Sequence, residues 1–138
     1  MKNEIIRLTE SAPVFVTSTP RTIEEKKAVF AALNSEGSGI EEFINRKFSI
    51  KWFKLEKVQR QVRDEDGTFT GEVYDAVKST IITTDNEVIK TSAAGVAKSL
   101  ASLVQFFGLP DEWEEPYKFT VKTSGTGRWR THTLEILD

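Results

Sequence analysis

The sequence predicts a mainly β fold, a five-stranded barrel covered by one amphipathic helix and preceded by a helix-containing extension. Three observations predict it. After residue 46 most patterned segments alternate apolar and polar residues, which is typical of half-buried strands. Residues 92–108 instead repeat their apolar positions every three to four residues, which is typical of a helix. This helix lies between the third and the fourth predicted strands, where it can cover the barrel that the strands form.

Composition and length indicate one soluble globular domain. The 138 residues, of which 38% are hydrophobic and 29% charged, are enough to bury a core. No apolar run approaches the roughly 18 residues of a membrane span, and the N-terminus lacks a signal-peptide pattern. The chain has no cysteine, which excludes disulfides and thiolate metal sites and is consistent with a cytoplasmic location.

Residues 1–40 are predicted to form an extension that packs on or beside the barrel domain of residues 41–138. The extension is expected to contain a short strand at residues 14–17. Thr22 and Glu25 have the spacing of a capping box, which predicts that a helix begins there. The helix is expected to end in the Gly- and Ser-rich residues 34–39, which are followed by one further helical turn.

The first barrel strand is predicted to begin at residue 47 and to change phase. Phe48, Ile50 and Trp52 alternate with polar residues, but Trp52 is followed directly by a second aromatic residue, Phe53. Such a change of phase indicates a β-bulge, or a strand that coils round a barrel corner. Trp52 and Phe53 cannot share a face, so one of them is expected to point into the barrel.

The other four strands are separated by recognisable turns. They are predicted at residues 69–84, 87–90, 117–122 and 128–137. An acidic turn at residues 64–68 precedes the second strand, in which Tyr74 and Lys78 lie on the face opposite Val73 and Val77.

The helix has clear signals at both ends. Thr91 or Ser92 is expected to cap its first free N–H groups, and Gly108 and Pro110 end it. Its apolar stripe consists of Val96, Leu100, Leu103, Val104 and Phe107. The resulting order, β-β-β-α-β-β, is that of an OB-fold, a Greek-key barrel of five strands.

Catalytic signatures are absent from the sequence. His132 is the single histidine, and no metal-binding motif contains it. The run from Asp64 to Gly67 resembles the start of a calcium loop, but position 12 of such a loop falls on Asp75. The sequence therefore predicts a protein that is not an enzyme and needs no cofactor. A nuclease that uses Asp64 and Asp66 with a divalent metal is the remaining enzymatic alternative.

The charge distribution favours binding of a polyanion to particular strands. The formal net charge is only −2, but residues 46–63 carry seven basic residues and one acid. Residues 116–134 carry four basic residues and no acid. Single-strand binders combine such cations with exposed aromatic rings on which bases stack. By their position opposite apolar neighbours, Tyr74 and Trp129 are expected to face outward.

The candidate nucleic-acid-binding residues are those cations and aromatic residues of the first, second, fourth and fifth strands. They are Lys51, Trp52, Phe53, Lys54, Lys57, Arg60, Tyr74, Lys78, Lys122, Arg128, Trp129 and Arg130.

Residues 74–92, the following helix and the final hairpin of residues 117–137 resemble a known family. They are similar in spacing and hydrophobic type to single-stranded DNA-binding proteins of small tailed phages with protein-primed replication, which have relatives on conjugative elements. The resemblance implies an OB-fold that coats single-stranded DNA during phage or plasmid replication in the host cytoplasm. It implies single-stranded DNA and replication proteins as partners, and no membrane. It leaves the oligomeric state and the role of residues 1–40 open.

A protein-interaction module or assembly subunit with the same fold is the main alternative. The near-neutral net charge and the acidic middle of the chain favour it. It predicts no affinity for DNA at moderate salt and a discrete oligomer or a complex with a partner.

Overall fold

A computed structural model describes residues 14–16, 20–126 and 130–137 of the chain. Within these ranges the elements are β1 (Val14–Val16), α1 (Ile23–Asn34), β2 (Phe48–Arg63), β3 (Phe69–Thr83), β4 (Val88–Thr91), α2 (Ala94–Phe107), β5 (Lys118–Ser124) and β6 (Thr131–Leu137). Single 3-10 turns lie at Ile40–Phe43 and Pro110–Glu112. The predicted order of strands and helices is confirmed. No helix of the described ranges is long and apolar enough to cross a membrane.

The strands form a mainly antiparallel, open sheet. Its order is β4-β3-β2-β5-β6, and β1 pairs with β2 as a further neighbour. β2 and β3 pair over almost their whole length, whereas β2 and β5 share only the pairs Phe48–Phe119 and Ser49–Lys118. A pairing of β4 with β6, which would close a barrel, is not among the strand pairs of the described residues.

The principal core lies between one face of the sheet and α2. Phe53, Leu55 and Ile81 of the long strands are fully or almost fully buried there. α2 contributes Val96, Leu100, Leu103 and Val104, which belong to the predicted stripe. Phe107, the last residue of that stripe, is 46% exposed instead, and the centroid of its ring lies 5.3 Å from that of Tyr117.

The change of phase that the sequence predicts for β2 is confirmed. The β2–β3 register shifts between Ile50 and Trp52. Phe53 then enters the principal core, whereas Trp52 enters a second, smaller core with Ile82 and Ala32 of α1. Two adjacent aromatic residues are both buried because α2 and α1 lie on opposite faces of the sheet.

The start of α2 differs from the prediction. The helix begins one residue later than Ser92 would require, with Ala93 as its N-cap and no side-chain cap. Thr91 instead stabilises the residue before the helix: its Oγ1 accepts a hydrogen bond from the N–H of Ala93 at 3.1 Å. The end agrees with the prediction: Gly108 has φ +83° and donates its N–H to the Val104 carbonyl.

α2 also packs against β6. The Leu134 N–H of β6 donates to Ser99 Oγ at 3.1 Å. Gly95 lies so close to β6 that a Cβ built on it would be 2.2 Å from the His132 carbonyl oxygen. This part of β6 therefore has its backbone covered by a helix.

Beyond the core, β2 and β3 continue as a two-stranded ribbon. Most of its residues from 59 to 75 are exposed. The turn at its tip is closed by Asp64, whose Oδ1 accepts hydrogen bonds from the N–H groups of Asp66 and Thr68 at 2.9 Å. Gly67 takes φ +81° there, a conformation that favours glycine.

Candidate nucleic-acid interface

The strand register defines which side chains share the face of β2, β3 and β4 that points away from the principal core. Residues directly opposite each other on paired strands lie on one face, and every second residue along a strand joins them. We term this surface the outer face. It comprises Trp52, Lys54, Glu56, Val58 and Arg60 of β2, Tyr74, Ala76, Lys78, Thr80 and Ile82 of β3, and Val88 and Lys90 of β4.

Three lysines are neighbours on the outer face. Lys54 and Lys90 lie on either side of Thr80 in one row across three strands, and Lys78 lies in the next row. Burial lowers the pKa of Lys90 below its ordinary value, and the ammonium groups of Lys78 and Lys54 lower it further. Glu56 is the acid among them, 3.6 Å from the Lys54 Nζ. The cluster keeps an excess of positive charge and would be stabilised by an anion.

The ribbon end of the outer face adds an aromatic ring beside a guanidinium. Tyr74 is 52% exposed and lies directly opposite Arg60. Arg60 is oriented by a hydrogen bond from its guanidinium to Ser92 Oγ, which follows β4. An exposed ring next to cations is the arrangement on which a base can stack while its phosphates are neutralised. Of the predicted residues, Lys54, Arg60, Tyr74 and Lys78 are brought together on this face.

The prediction that Trp52 or Phe53 faces a ligand does not fit the structure. Phe53 is 0% and Trp52 is 6% exposed. Phe53 packs in the principal core and Trp52 beneath α1, so neither ring offers an open surface for stacking.

Lys57 and Lys51 lie away from the three lysines. Lys57 points to the opposite side of the ribbon, where its Nζ is 3.5 Å from a carboxylate oxygen of Asp75. Lys51 donates a hydrogen bond to Asn86 Oδ1 in the turn between β3 and β4.

The candidates on the last hairpin form a separate group. Lys122 is 4.0 Å from Glu135, and Arg130 donates to Glu41 Oε1 at 3.0 Å. The same carboxylate lies 3.8 Å from His132 Nε2. Lys122 and Arg130 are thus each already paired with an acid. Arg128 and Trp129, which were also predicted to contact nucleic acid, lie outside the described residues.

Lys90 is the site residue that sequence reasoning missed. A signal for it exists in the turn formed by Thr84, Asp85 and Asn86, which Thr83 and Glu87 close with a backbone hydrogen bond. That turn fixes the β3–β4 register, which sets Lys90 opposite Thr80 and hence in line with Lys54.

In the described part of the chain, no group of three or more histidine, aspartate or glutamate side chains is arranged to hold a metal ion.

The chain matches no family model, no curated protein and no solved structure.

Proposed function

We propose that this chain is a sequence-independent single-stranded DNA-binding protein with an OB-fold, and that the strand lies along the outer face. The observation that carries the proposal is that the cluster of Lys54, Lys78 and Lys90 shares one sheet face with Arg60 and the exposed ring of Tyr74, which lie farther along the same strands. Cations that follow phosphates and a ring that accepts any base give affinity without reading base edges.

The topology supports the choice of face. β2 pairs with both β3 and β5, as the first strand of an OB-fold pairs with the second and the fourth. OB-folds are partly open barrels that bind oligonucleotides on their second and third strands. In this chain those strands are β3 and β4, which carry Tyr74, Lys78 and Lys90. The sequence resemblance to phage proteins supports a role in phage or plasmid replication.

Neutralising two lysines is expected to weaken binding in a salt-dependent way. On single strands each lost phosphate contact lowers the magnitude of the salt slope by about 0.7. The double variant Lys54→Gln/Lys78→Gln should therefore lower it by about 1.4, measured by fluorescence anisotropy of a labelled oligothymidine. The matched control is Lys27→Gln/Lys98→Gln, which removes the same charge from exposed positions on the two helices. Equal slopes in the two double variants would remove the outer face from the binding site.

Tyr74→Ala is expected to weaken oligothymidine binding by about 1–3 kcal/mol, the usual contribution of one stacked base. The melting temperature should change little, because the ring is about half exposed. Val73→Ala is the control, since Val73 is equally exposed on the opposite face of the same strand. An unchanged affinity for Tyr74→Ala, or an equal loss for Val73→Ala, would contradict the stacking role.

A protein-binding function is the second candidate, because α2 and β6 border an open apolar groove. Phe106, Phe107 and Ile136 are exposed beside it. Clustered exposed apolar residues are typical of protein-interaction sites. If this groove is the functional surface, the protein forms a complex with a partner and does not bind oligothymidine at low salt.

A further inference from the structure

Helix α1 and the lysine cluster occupy adjacent parts of one sheet face. α1 packs with Ala32 and Val29 on Trp52, Ile82 and Val88, which form a single row across the three strands. The adjacent row, on the side of the β2–β3 ribbon, contains Lys54 and Lys90. Neighbouring rows on one face of a sheet are about 6.6 Å apart along the strands. The indole of Trp52 therefore lies one row away from the candidate phosphate contacts, beneath a helix.

α1 makes limited contact with the sheet. Ala32 is its one buried residue, whereas Ile23 and Phe30 are 61% and 70% exposed. Its start is stabilised within the helix itself: the Glu25 N–H donates to Thr22 Oγ1 at 3.1 Å, and the Arg21 N–H to Glu25 Oε2 at 2.9 Å. Such a helix can leave the sheet without disturbing the principal core.

Lys90 connects the two parts of the face. Its ammonium donates hydrogen bonds to the Leu33 carbonyl at 3.1 Å and to the Ser35 carbonyl, both at the C-terminal end of α1. These carbonyls carry only partial negative charge, and a phosphate oxygen is the stronger acceptor for an ammonium. A strand that engages Lys90 therefore competes with the contact that holds the end of α1.

The chain after α1 provides a fixed point about which the helix can move. The Ser38 N–H donates to the Val88 carbonyl at 2.8 Å, and the Lys90 N–H donates to the Ser38 carbonyl at 2.9 Å. These two backbone hydrogen bonds tie Ser38 to β4, while residues 35–37 lie between this tie and the helix.

We propose that α1 is a displaceable cover of the outer face, and that phosphates bound at Lys54 and Lys90 release it from Trp52. The exposed indole then becomes a further stacking site for a base, so that α1 and single-stranded DNA compete for the same surface. This inference rests on the proposed function and assigns to Trp52 a binding role that it has only when α1 moves.

The absence of cysteine from the chain makes the cover directly testable. Ala32→Cys places a unique thiol beneath α1, and Ala31→Cys places one at an exposed position of the same helix. The rate at which each thiol reacts with a disulfide reagent is measured with and without saturating oligothymidine, whose binding is followed by anisotropy. We expect the oligonucleotide to accelerate the reaction of the Ala32→Cys variant by about tenfold and to leave that of the control unchanged.

The possible outcomes separate the two proposals. Saturable binding without acceleration at position 32 would overturn the cover and leave the proposed function standing, whereas no binding would overturn both.

A second variant tests the competition through affinity. In Ala32→Gln the new side chain is uncharged and compatible with a helix, but it is too large for the buried site. This variant should loosen α1 and tighten oligothymidine binding several-fold. The control Ala31→Gln should leave the affinity unchanged. A folded Ala32→Gln protein with unchanged or weaker binding would overturn the cover.

Discussion

Phe53→Ala is expected to destabilise the protein by about 3–5 kcal/mol, the usual cost of removing a buried phenylalanine ring. Phe53 is fully buried in the principal core and lies directly opposite Ile81 on the neighbouring strand. Its removal would leave a cavity between the sheet and α2 that neither element can fill by a local shift. Urea unfolding, followed by circular dichroism, measures the loss.

Tyr74→Ala provides the control for that prediction. It removes a ring of similar size from the adjacent strand, where the ring is about half exposed. The unfolding free energy should fall by less than about 1 kcal/mol. If the two variants lose the same stability, Phe53 is not in the core and the division of β2 into an inner and an outer face is wrong.

Gly95→Ala is expected to destabilise the protein by about 1–3 kcal/mol, the usual cost of overpacking. Within a free helix the same change would stabilise by roughly 1 kcal/mol, because alanine is the better helix former. Here the added Cβ would meet the His132 carbonyl oxygen at 2.2 Å and the Thr133 Cγ2 at 3.0 Å. α2 would have to move away from β6 and weaken the hydrogen bond from Leu134 to Ser99.

Thermal unfolding compares this variant with Gly39→Ala, where an added Cβ has no atom within 4 Å. Gly39 has φ −74°, so alanine is also compatible with its backbone. The control should melt within a few degrees of the wild type. A higher melting temperature for Gly95→Ala would show that α2 does not lie against β6 as described.

Local signals account for much of what the sequence predicted correctly. Thr22 and Glu25 begin α1, and the Thr22 Oγ1 does accept the Glu25 N–H. The adjacent aromatic residues Trp52 and Phe53 mark the register shift in β2. Such features depend on a few neighbouring residues, and the order of the elements followed from them.

The burial of Trp52 could not be predicted from these signals. Alternation establishes that Trp52 and Phe53 point to opposite faces of the sheet, but it does not show that a helix covers the face to which Trp52 points. α1 is separated from β2 in the sequence and buries a single alanine, so its apolar pattern gives no clear docking face. The acidic partners of the cations could not be predicted either, because they are distant in the sequence: Arg130 pairs with Glu41, 89 positions away.

The most direct test of the central proposal is a titration of labelled oligothymidine with wild-type protein, followed by fluorescence anisotropy at about 50 and 200 mM salt. The oligonucleotide has about 16 nucleotides, which is long enough for one OB-fold. Binding to the outer face predicts a saturable signal at the lower salt, a weaker affinity at the higher salt, and a smaller salt dependence for Lys54→Gln/Lys78→Gln. No binding at the lower salt would contradict the proposed function, and binding that the double variant leaves unchanged would contradict the proposed site.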